Sequence, residues 1–413
     1  MRRTLPPAAA PFGMKAMLQG IAGLVLGNRF LKRREEEIRE YFGVRHVFLV
    51  SSGKAALTLL LRALRRISPE KREVLIPAYT CFSVPAAVAK AGLKVALCDV
   101  DPATFDFDYR RLENAVNNAT LCVVPSHLFG IPSDMDRIND LCRRRGLFVV
   151  EDAAQAMGGD YRGRRLGTLG DAGFFSLGRG KNVTCGSGGI IVTGSARIAG
   201  VLSDAYASLR KPGAAEELKE YCMLLLLCLF LRPSLYWLPA GLPFLGLGET
   251  RYPGEFPVQR LSGMRAGVLA GWRERLEQGN AGRMDTTRFL SLHLSAVASK
   301  GAPPLLRFPL LTGSGRAREA LCSTSRERGL GISRMYPCPV NEIGALREQF
   351  SGKTFPSAKR IAETLVTLPT HPLLTARDRE ALCSLIGESL SARPGGMQEK
   401  CRAMQDGKGG LHA

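Results

Sequence analysis

The chain has 413 residues and a formal net charge of +20, from 57 lysines and arginines against 37 aspartates and glutamates. Its 45% hydrophobic and 23% charged content is ordinary for a globular protein with room for two domains. The 11 cysteines and 5 histidines form no zinc-ligand or disulfide spacing, which indicates a reducing compartment. The positive charge favours anionic partners such as anionic lipid or diphosphates, but no nucleic-acid-binding signature accompanies it.

The N-terminal region contains an apolar patch at residues 16–27. Basic residues lie on both sides of the patch, Gln19 interrupts it, and no A-x-A cleavage site follows it. These features argue against a signal peptide. We expect instead a helix that packs on the fold or lies on a membrane surface.

Downstream of this patch, short apolar strands alternate with helical segments. The predicted strands are 47–50, 73–76, 94–99, 122–125 and 147–150, and the predicted helices are 35–42, 51–64, 83–91 and 134–145. This alternation predicts an α/β fold with a doubly wound, mainly parallel sheet that is covered on both faces. Ligands of such sheets bind beyond the carboxyl ends of the strands. The side chains that fall at such ends are Tyr79, His127, Asp152 and Lys181.

Two segments, 149–156 and 174–182, carry a recognisable chemistry. The first is an apolar strand that ends in the carboxylate of Asp152, and the second is a strand that ends in a glycine-spaced loop presenting Lys181. Lysine holds pyridoxal phosphate through its amine, and an aspartate pairs with the protonated pyridine nitrogen of that cofactor. Alone, either residue is more simply explained as a helix cap or a solvated side chain. Their order and spacing together predict a pyridoxal phosphate site.

The predicted helix after residue 50 begins with small residues, and Gly53, Lys54 and Ala55 form its first turn. Small residues at a helix start leave backbone N–H groups open to a phosphate, and the helix dipole adds to the attraction. The segment is not an ATP-type P-loop, because Ala55 stands where serine or threonine should follow the lysine. On these residues alone, a phosphate cradle and an ordinary helix cap both stay open.

These segments resemble the DegT/DnrJ/EryC1/StrS family of pyridoxal-phosphate sugar aminotransferases. The resemblance rests on Glu-Asp-Ala-Ala-Gln at 151–155, Lys-Asn at 181–182, and the segments 74–80, 99–105, 127–130 and 368–375. It implies the fold-type-I architecture of aspartate aminotransferase, with a doubly wound sheet and a smaller C-terminal α/β domain. It also implies a homodimer that transfers an amino group, with glutamate as the expected donor, to a nucleotide-linked keto sugar for surface polysaccharide synthesis.

The resemblance assigns roles to individual residues. The implied catalytic residues are Lys181, which holds the cofactor and moves protons, and Asp152, which pairs with the pyridine nitrogen. The other implied cofactor-binding residues are Gly53, Lys54, Ala55, Cys81, Gln155 and Ser176. The implied substrate contacts are Tyr79, His127 and Tyr336. Lysine at 181 argues against the dehydratase branch of the family, which has histidine there.

The sequence departs from the family pattern at three places. Cys81 stands where the family has an aromatic residue over the cofactor, and Gly-Arg-Gly precedes Lys181 in place of Tyr-Pro-Thr. The family's Asn-x-Arg-Met segment, through which one subunit helps to hold the other's phosphate, is Leu-Ser-Gly-Met at 261–264. Two alternatives therefore stay open. One is a pyridoxal phosphate enzyme for another carbonyl substrate, and the other is a degenerate, membrane-associated member of a polysaccharide assembly system.

The apolar segment 222–247 is the other unusual feature. Neither of its two apolar runs reaches the roughly 20 residues that a helix needs to span a bilayer. A buried core helix and an interfacial segment on a membrane are the alternatives. We expect a cytoplasmic protein, and the second alternative places it at the inner face of the membrane.

The same reading divides the chain into three parts. Residues 1–250 are predicted to form the large cofactor-binding domain, with the N-terminal helical segment and the apolar insertion. Residues 251–392 are predicted to form the small domain, from a helical region at 265–293 and strands at 305–311 and 334–339. Residues 393–413, rich in glycine, lysine and glutamine, are predicted to be disordered.

Overall fold

The computed structural model describes residues 3–242, 250–294 and 303–391. Its strands are β1 (His46–Val50), β2 (Glu73–Pro77), β3 (Lys94–Cys98), β4 (Thr120–Val123), β5 (Phe148–Asp152), β6 (Asp160–Tyr161), β7 (Arg164–Arg165), β8 (Ala172–Ser176), β9 (Gly189–Thr193), β10 (Arg307–Leu311) and β11 (Leu365–Pro369). Its helices are α1 (Met14–Val25), α2 (Gly27–Phe42), α3 (Gly53–Ile67), α4 (Ser83–Lys90), α5 (Tyr109–Ala115), α6 (Met135–Arg145), α7 (Ala196–Ala207), α8 (Ala214–Phe230), α9 (Trp237–Ala240), α10 (Gly263–Val268), α11 (Trp272–Leu294), α12 (Gly315–Arg328), α13 (Pro356–Thr364) and α14 (Ala376–Ser391).

The main sheet has seven strands in the order β1-β9-β8-β5-β4-β2-β3. The pairs β2–β3, β2–β4, β4–β5 and β5–β8 are parallel, while β8–β9 and β1–β9 are antiparallel. The predicted mainly parallel sheet is therefore confirmed. Strand β9 was not predicted, although it follows the Lys181 loop directly and joins β8 to β1.

Helices cover both faces of this sheet, as the alternation predicts. Val74 and Ile76 of β2 pack in the cluster that contains Leu60 of α3. Leu75, between them, packs in the cluster that contains Ile138 of α6. All five side chains are fully buried. Burying a side chain of this size contributes about 1.5–3 kcal/mol, so both layers hold the sheet in place.

The C-terminal unit is built around the antiparallel pair β10–β11, packed with α12 and α14. The strand predicted at 334–339 is wrong. The nearest pairing is an isolated bridge between Ser333, just before this segment, and Thr367. Pro337 and Pro339 lack the N–H groups that a continuous ladder requires. The helical region predicted at 265–293 is two helices, α10 and α11, which Gly271 separates with φ of +69°.

Helix α1 packs against α10 through glycines. A Cβ atom at Gly23 of α1 would clash with the carbonyl oxygen of Gly263 in α10, so a larger residue would force the helices apart. The N-terminal patch is therefore a helix packed on the fold. Its outer face still carries exposed Met14, Leu18 and Val25.

The first apolar run of the insertion lies in α8. Tyr221 and Leu224 face inward, and the Tyr221 hydroxyl donates to Met17 O at 3.2 Å. Leu226 and Leu229 are about half exposed, at 51% and 47%. Within the described residues, no helix is both long and apolar enough to cross a membrane. Residues 243–247 of the insertion and the predicted tail at 393–413 lie outside the described residues.

Candidate active site

Asp152 and Lys181 come from neighbouring strands of the sheet. Asp152 is the last residue of β5, and Lys181 lies in the loop between β8 and β9. The parallel pairing of β5 with β8, with Asp152 opposite Phe174, carries both chain segments to the same edge. The two side chains are near enough that each shifts the pKa of the other.

Burial dominates the electrostatics of this pair. Burial lowers the pKa of Lys181. The nearby Cys81 and Asp152 oppose this lowering, and Arg307 adds to it. Burial also raises the pKa of Asp152, which is 6% exposed, and the Lys181 ammonium opposes that shift. A lowered lysine pKa increases the fraction of neutral amine, the form that attacks a carbonyl carbon. A desolvated carboxylate is stabilised by a cation seated against it.

Hydrogen bonds orient the Asp152 carboxylate. Its Oδ1 accepts from the Ala154 N–H at 3.1 Å, and its Oδ2 accepts from Ser126 Oγ at 3.5 Å. Ser126 Oγ in turn accepts from Thr80 Oγ1 at 3.4 Å. Ser126 and Thr80 were not predicted as site residues. Their signal is positional, because each closely follows a strand of the parallel sheet.

Glu151, beside Asp152, is fully buried and fixes the strand end. It accepts hydrogen bonds from the Gly167, Leu169 and Gly170 N–H groups. His127 Nδ1 accepts from the Ser133 N–H at 3.1 Å, so the ring proton lies on Nε2, which donates to Glu151 at 3.0 Å. Both His127 nitrogens are therefore engaged within the protein. This geometry favours a structural role, and the predicted substrate contact of His127 stays a prediction.

An aromatic wall closes one side of the site. Tyr336, from the C-terminal unit, accepts from Gln155 Nε2 at 2.9 Å, and Gln155 Oε1 accepts from the Phe129 N–H. The Tyr336 ring lies 5.4 Å from that of Tyr79 and 6.1 Å from that of Phe82. The Tyr79 hydroxyl is buried without a hydrogen-bond partner among the described residues. A buried orphan hydroxyl is costly unless a ligand satisfies it.

The start of α3 lies against Ser176, at the end of β8. A Cβ atom at Gly53 would be 2.9 Å from Ser176 Cβ, so only glycine allows this approach. Ser52 caps the helix by accepting from the Ala55 N–H at 3.2 Å. In the described part of the chain, the N–H groups of Gly53 and Lys54 have no backbone acceptor. Open N–H groups at a helix start attract anions.

Lys54 and Cys81 complete the predicted set. The Lys54 ammonium lies 4.6 Å from the centre of the Phe256 ring, and burial lowers its pKa. Cys81 is half-buried and close enough to Lys54 and Lys181 to oppose the lowering of both pKa values by burial. The structure thus brings together every predicted cofactor-binding residue at one edge of the sheet.

Comparison with known proteins identifies the family. A model of the DegT/DnrJ/EryC1/StrS aminotransferase family matches residues 16–386. The chain belongs to this family.

Relatives of this aminotransferase family member include UDP-N-acetyl-3-dehydro-alpha-D-glucosamine 3-aminotransferase of Acidithiobacillus ferrooxidans. The two are 28% identical over 89% of this chain and 90% of that protein. GDP-perosamine synthase of Caulobacter vibrioides is 39% identical, but that alignment covers 40% of this chain and 44% of the relative. The match to the pleiotropic regulatory protein of Geobacillus stearothermophilus likewise spans 46% of the relative. The chain thus aligns with less than half of the length of these two relatives.

Solved aminotransferase structures share the fold. DesV of Streptomyces venezuelae is 26% identical with a TM-score of 0.74, over 96% of this chain and 100% of that chain. PseC of Helicobacter pylori has a TM-score of 0.75 at 14% identity, over 95% of this chain and 100% of that chain. The predicted fold-type-I architecture is therefore confirmed.

The residues of this family member fit pyridoxal phosphate. The helix start at Gly53, with Ser176, offers an anion site for the phosphate. Asp152 and Lys181 offer a carboxylate and an amine at adjacent strand ends. The segment 261–264, which departs from the family pattern, is packed within its own chain, where Leu261 and Met264 are buried.

Two arginines near Lys181, the buried Arg283 and the half-buried Arg307, were missed by sequence reasoning. Arg283 donates to Ala9 O at 3.1 Å and to Lys181 O at 3.5 Å, which ties the N-terminal segment to the lysine loop. Arg307 begins β10 and acts on the pKa of Lys181. The signal for Arg307 was available, because it is a single cation within an apolar run at 305–311.

Proposed function

We propose that this chain is a pyridoxal-phosphate transaminase that transfers an amino group from glutamate to a nucleotide-linked keto sugar. The observation that carries the proposal is the enclosed pair of Asp152 and Lys181 beside an anion site at a helix start. The cofactor, when bound, supplies an electron sink for the carbon that carries the transferred nitrogen.

Lys181 is proposed to hold the cofactor and to move protons at its Nζ. Its lowered pKa supports this role, because the neutral amine both attacks a carbonyl carbon and accepts a proton. Asp152 is proposed to keep the pyridine nitrogen protonated. Its hydrogen bonds from Ala154 and Ser126 hold the carboxylate in one orientation for that contact.

The remaining assignments concern binding. The backbone of Gly53, Lys54 and Ala55, with Ser176, is proposed to bind the phosphate. Gln155 and Cys81 are proposed to lie against the cofactor ring. Tyr79 and Tyr336 are proposed to line the substrate side, where the orphan hydroxyl of Tyr79 would find a polar partner.

Support for a nucleotide-linked sugar comes from the relatives, whose names specify UDP- and GDP-linked sugars. The net charge of +20 suits an anionic diphosphate. Surface polysaccharide synthesis and a homodimer are further parts of the proposal, and both rest on the family resemblance.

The absorption spectrum of the purified protein tests the proposal most directly. We expect absorbance of protein-bound cofactor at visible wavelengths, and loss of that band when L-glutamate is added without a sugar acceptor. A protein that takes up no added pyridoxal phosphate would favour the degenerate, non-catalytic alternative. Cofactor uptake without a response to any amino acid would contradict the transaminase assignment.

A second proposal is that α8 and α9 contact a membrane surface at the inner face of the membrane. The observation that favours it is the exposed apolar surface formed by Met223, Leu226 and Leu229 of α8, together with Trp237 of α9. Tryptophan suits the headgroup region of a bilayer, and the net positive charge of the chain adds attraction to anionic lipid.

A further inference from the structure

Arg307 is a cation without an acidic partner among the described residues. Its Nη1 donates to Ser333 Oγ at 2.9 Å and to Thr367 Oγ1 at 3.3 Å. Its Nε and Nη2 donate to none of the residues that the structure describes. The Nε atoms of Arg34 and Arg283 are inaccessible to solvent and have no hydrogen-bond partner among the described residues. No nitrogen of Arg307 is in this situation. The free side of this guanidinium therefore faces accessible space.

The surroundings of Arg307 place that space in the active-site cleft. Leu306, the chain neighbour of Arg307, donates its N–H to Phe129 O at 2.7 Å, and the Phe129 N–H donates to Gln155 Oε1. These two bonds hold the start of β10 against the site, where Arg307 is near enough to lower the pKa of Lys181. Tyr336, which is bonded to Gln155, and Tyr236, which lies just before α9, are both near enough to act on the pKa of Arg307. Arg307 and Lys181 thus line the same cleft. Asp152 is the only carboxylate among the groups named here, and it is proposed to pair with the cofactor nitrogen.

An unpaired guanidinium in a partly enclosed cleft is unfavourable, because burial removes its water without supplying an anion. Ser333 and Thr367 hold one nitrogen and leave two adjacent N–H groups pointing the same way. This fork matches the two oxygens of a carboxylate or a phosphate. Arg307 also belongs to β10, in a different unit from the helix start assigned to the cofactor phosphate.

We propose that Arg307 binds an oxyanion of the substrate, through Nε and Nη2, beside Lys181. The inference rests on the proposed function, because it presumes that Lys181 marks the reacting position. Two sources share this chemistry, the α-carboxylate of the amino donor and a phosphate of the nucleotide sugar. An α-carboxylate lies one carbon from the reacting nitrogen, while a sugar phosphate lies across the ring from it.

The test compares Arg307→Gln and Arg307→Lys with the control Arg334→Gln, all as cofactor-loaded protein. Arg334 is an exposed arginine of the same unit, paired with Glu319 at 3.3 Å, so its change removes equal charge outside the cleft. The probes are α-methyl-L-glutamate, an amino donor without an α-proton, and UDP. Calorimetry gives the Kd of each probe, and absorbance gives the cofactor content.

Arg307→Gln should raise the Kd of one probe by at least tenfold, as expected for loss of a charge-assisted hydrogen bond. Arg307→Lys should raise it less, and the control should leave both Kd values unchanged. A higher Kd for α-methyl-L-glutamate alone shows that Arg307 binds the carboxylate of the amino donor. A higher Kd for UDP alone shows that it binds a phosphate of the nucleotide sugar. If Arg307→Gln does not fold, a higher Kd of one probe for Arg307→Lys supports the inference instead. A single ammonium cannot donate the two parallel hydrogen bonds of a guanidinium.

The inference would be overturned if both probes had the same Kd for the Arg307 variants as for wild-type protein. If wild-type protein also transfers amino groups, the proposed function survives that result. Wild-type protein that takes up cofactor but neither binds a probe nor responds to glutamate would instead overturn the proposed function, whatever the variants do.

Discussion

The surroundings of Lys181 set its protonation state. Burial lowers its pKa, so a larger fraction of the side chain is neutral near pH 7 than for an exposed lysine. Lys181→Ala should lose the visible cofactor absorbance and at least about 10³-fold in amino transfer, since it removes both the anchor and the proton carrier. Arg179→Ala, an exposed residue of the same loop, is the matched control and should change neither. Wild-type transfer by Lys181→Ala would contradict the assignment.

Asp152 can be tested separately from cofactor binding. Asp152→Asn keeps the shape of the side chain but removes the charge that holds a pyridine nitrogen protonated. We expect the variant to retain bound cofactor and to lose roughly 10²-fold or more in transfer rate. Asp160→Asn, at an exposed position, is the control and should keep the wild-type rate. Equal rates for the two variants would remove Asp152 from the mechanism.

At the scale of elements, α8 offers two adjacent leucines in opposite environments. Leu224 is 3% exposed and packs over Gly186, whereas Leu225 is 38% exposed. Leu224→Asp should destabilise the protein by about 3 kcal/mol or more, because it buries an unpaired carboxylate. Leu225→Asp should leave the unfolding transition nearly unchanged. If the membrane proposal is right, Leu225→Asp also weakens binding to phosphatidylserine-containing vesicles.

The vesicle experiment needs low salt, because added salt screens the attraction between the basic surface and anionic lipid. Sedimentation of wild-type protein with the vesicles gives the reference. Wild-type protein that does not sediment with them would exclude membrane contact. If wild-type protein is an oligomer in lipid-free buffer and Leu225→Asp is a monomer there, the exposed face of α8 is instead a contact between subunits.

At the scale of the whole molecule, the N-terminal segment links the C-terminal elements to the Lys181 loop. Arg3 pairs with Asp378 at 2.8 Å, and Ala9 O accepts from Arg283. His371, which is 1% exposed, donates from Nε2 to Pro6 O at 2.8 Å. Residues 3–9 are therefore part of the structure around the Lys181 loop, since Ala8 also packs against Gly180.

Burial lowers the pKa of His371 to about 4. The unfolded chain has the ordinary value near 6.5, so it binds the proton first as the pH falls. Stability is thus fully present above about pH 6.5 and is lost as the pH falls towards 4, by up to about 3 kcal/mol. Denaturant unfolding of wild type and His371→Gln between pH 4 and 7 measures this contribution, with exposed His293→Gln as the control. A His371→Gln variant with the same acid-induced loss as wild type would contradict the prediction.

The local sequence determined the helices and strands around the site, because each depends on nearby residues. Glycine-rich and proline-marked turns separate apolar segments, and the alternation of those segments requires parallel strands. The positions of Asp152 and Lys181 followed, since residues after parallel strands meet at one edge. The assignment of their chemistry also needed the family resemblance. The strand predicted at 334–339 was wrong because Pro337 and Pro339 lack the N–H groups that a continuous ladder requires, and the sequence itself carried that signal.

Contacts between distant residues were decided only by the tertiary structure. Nothing near Tyr336 in the sequence indicates that its hydroxyl accepts from Gln155, 181 residues away. The engagement of both His127 nitrogens likewise depends on Glu151 and Ser133 being brought around one ring. Whether a cation is paired or free is a property of its three-dimensional surroundings. Arg307 could be recognised as a cation near Lys181, without an acidic partner in the described part of the chain, only after β10 had been placed against the sheet.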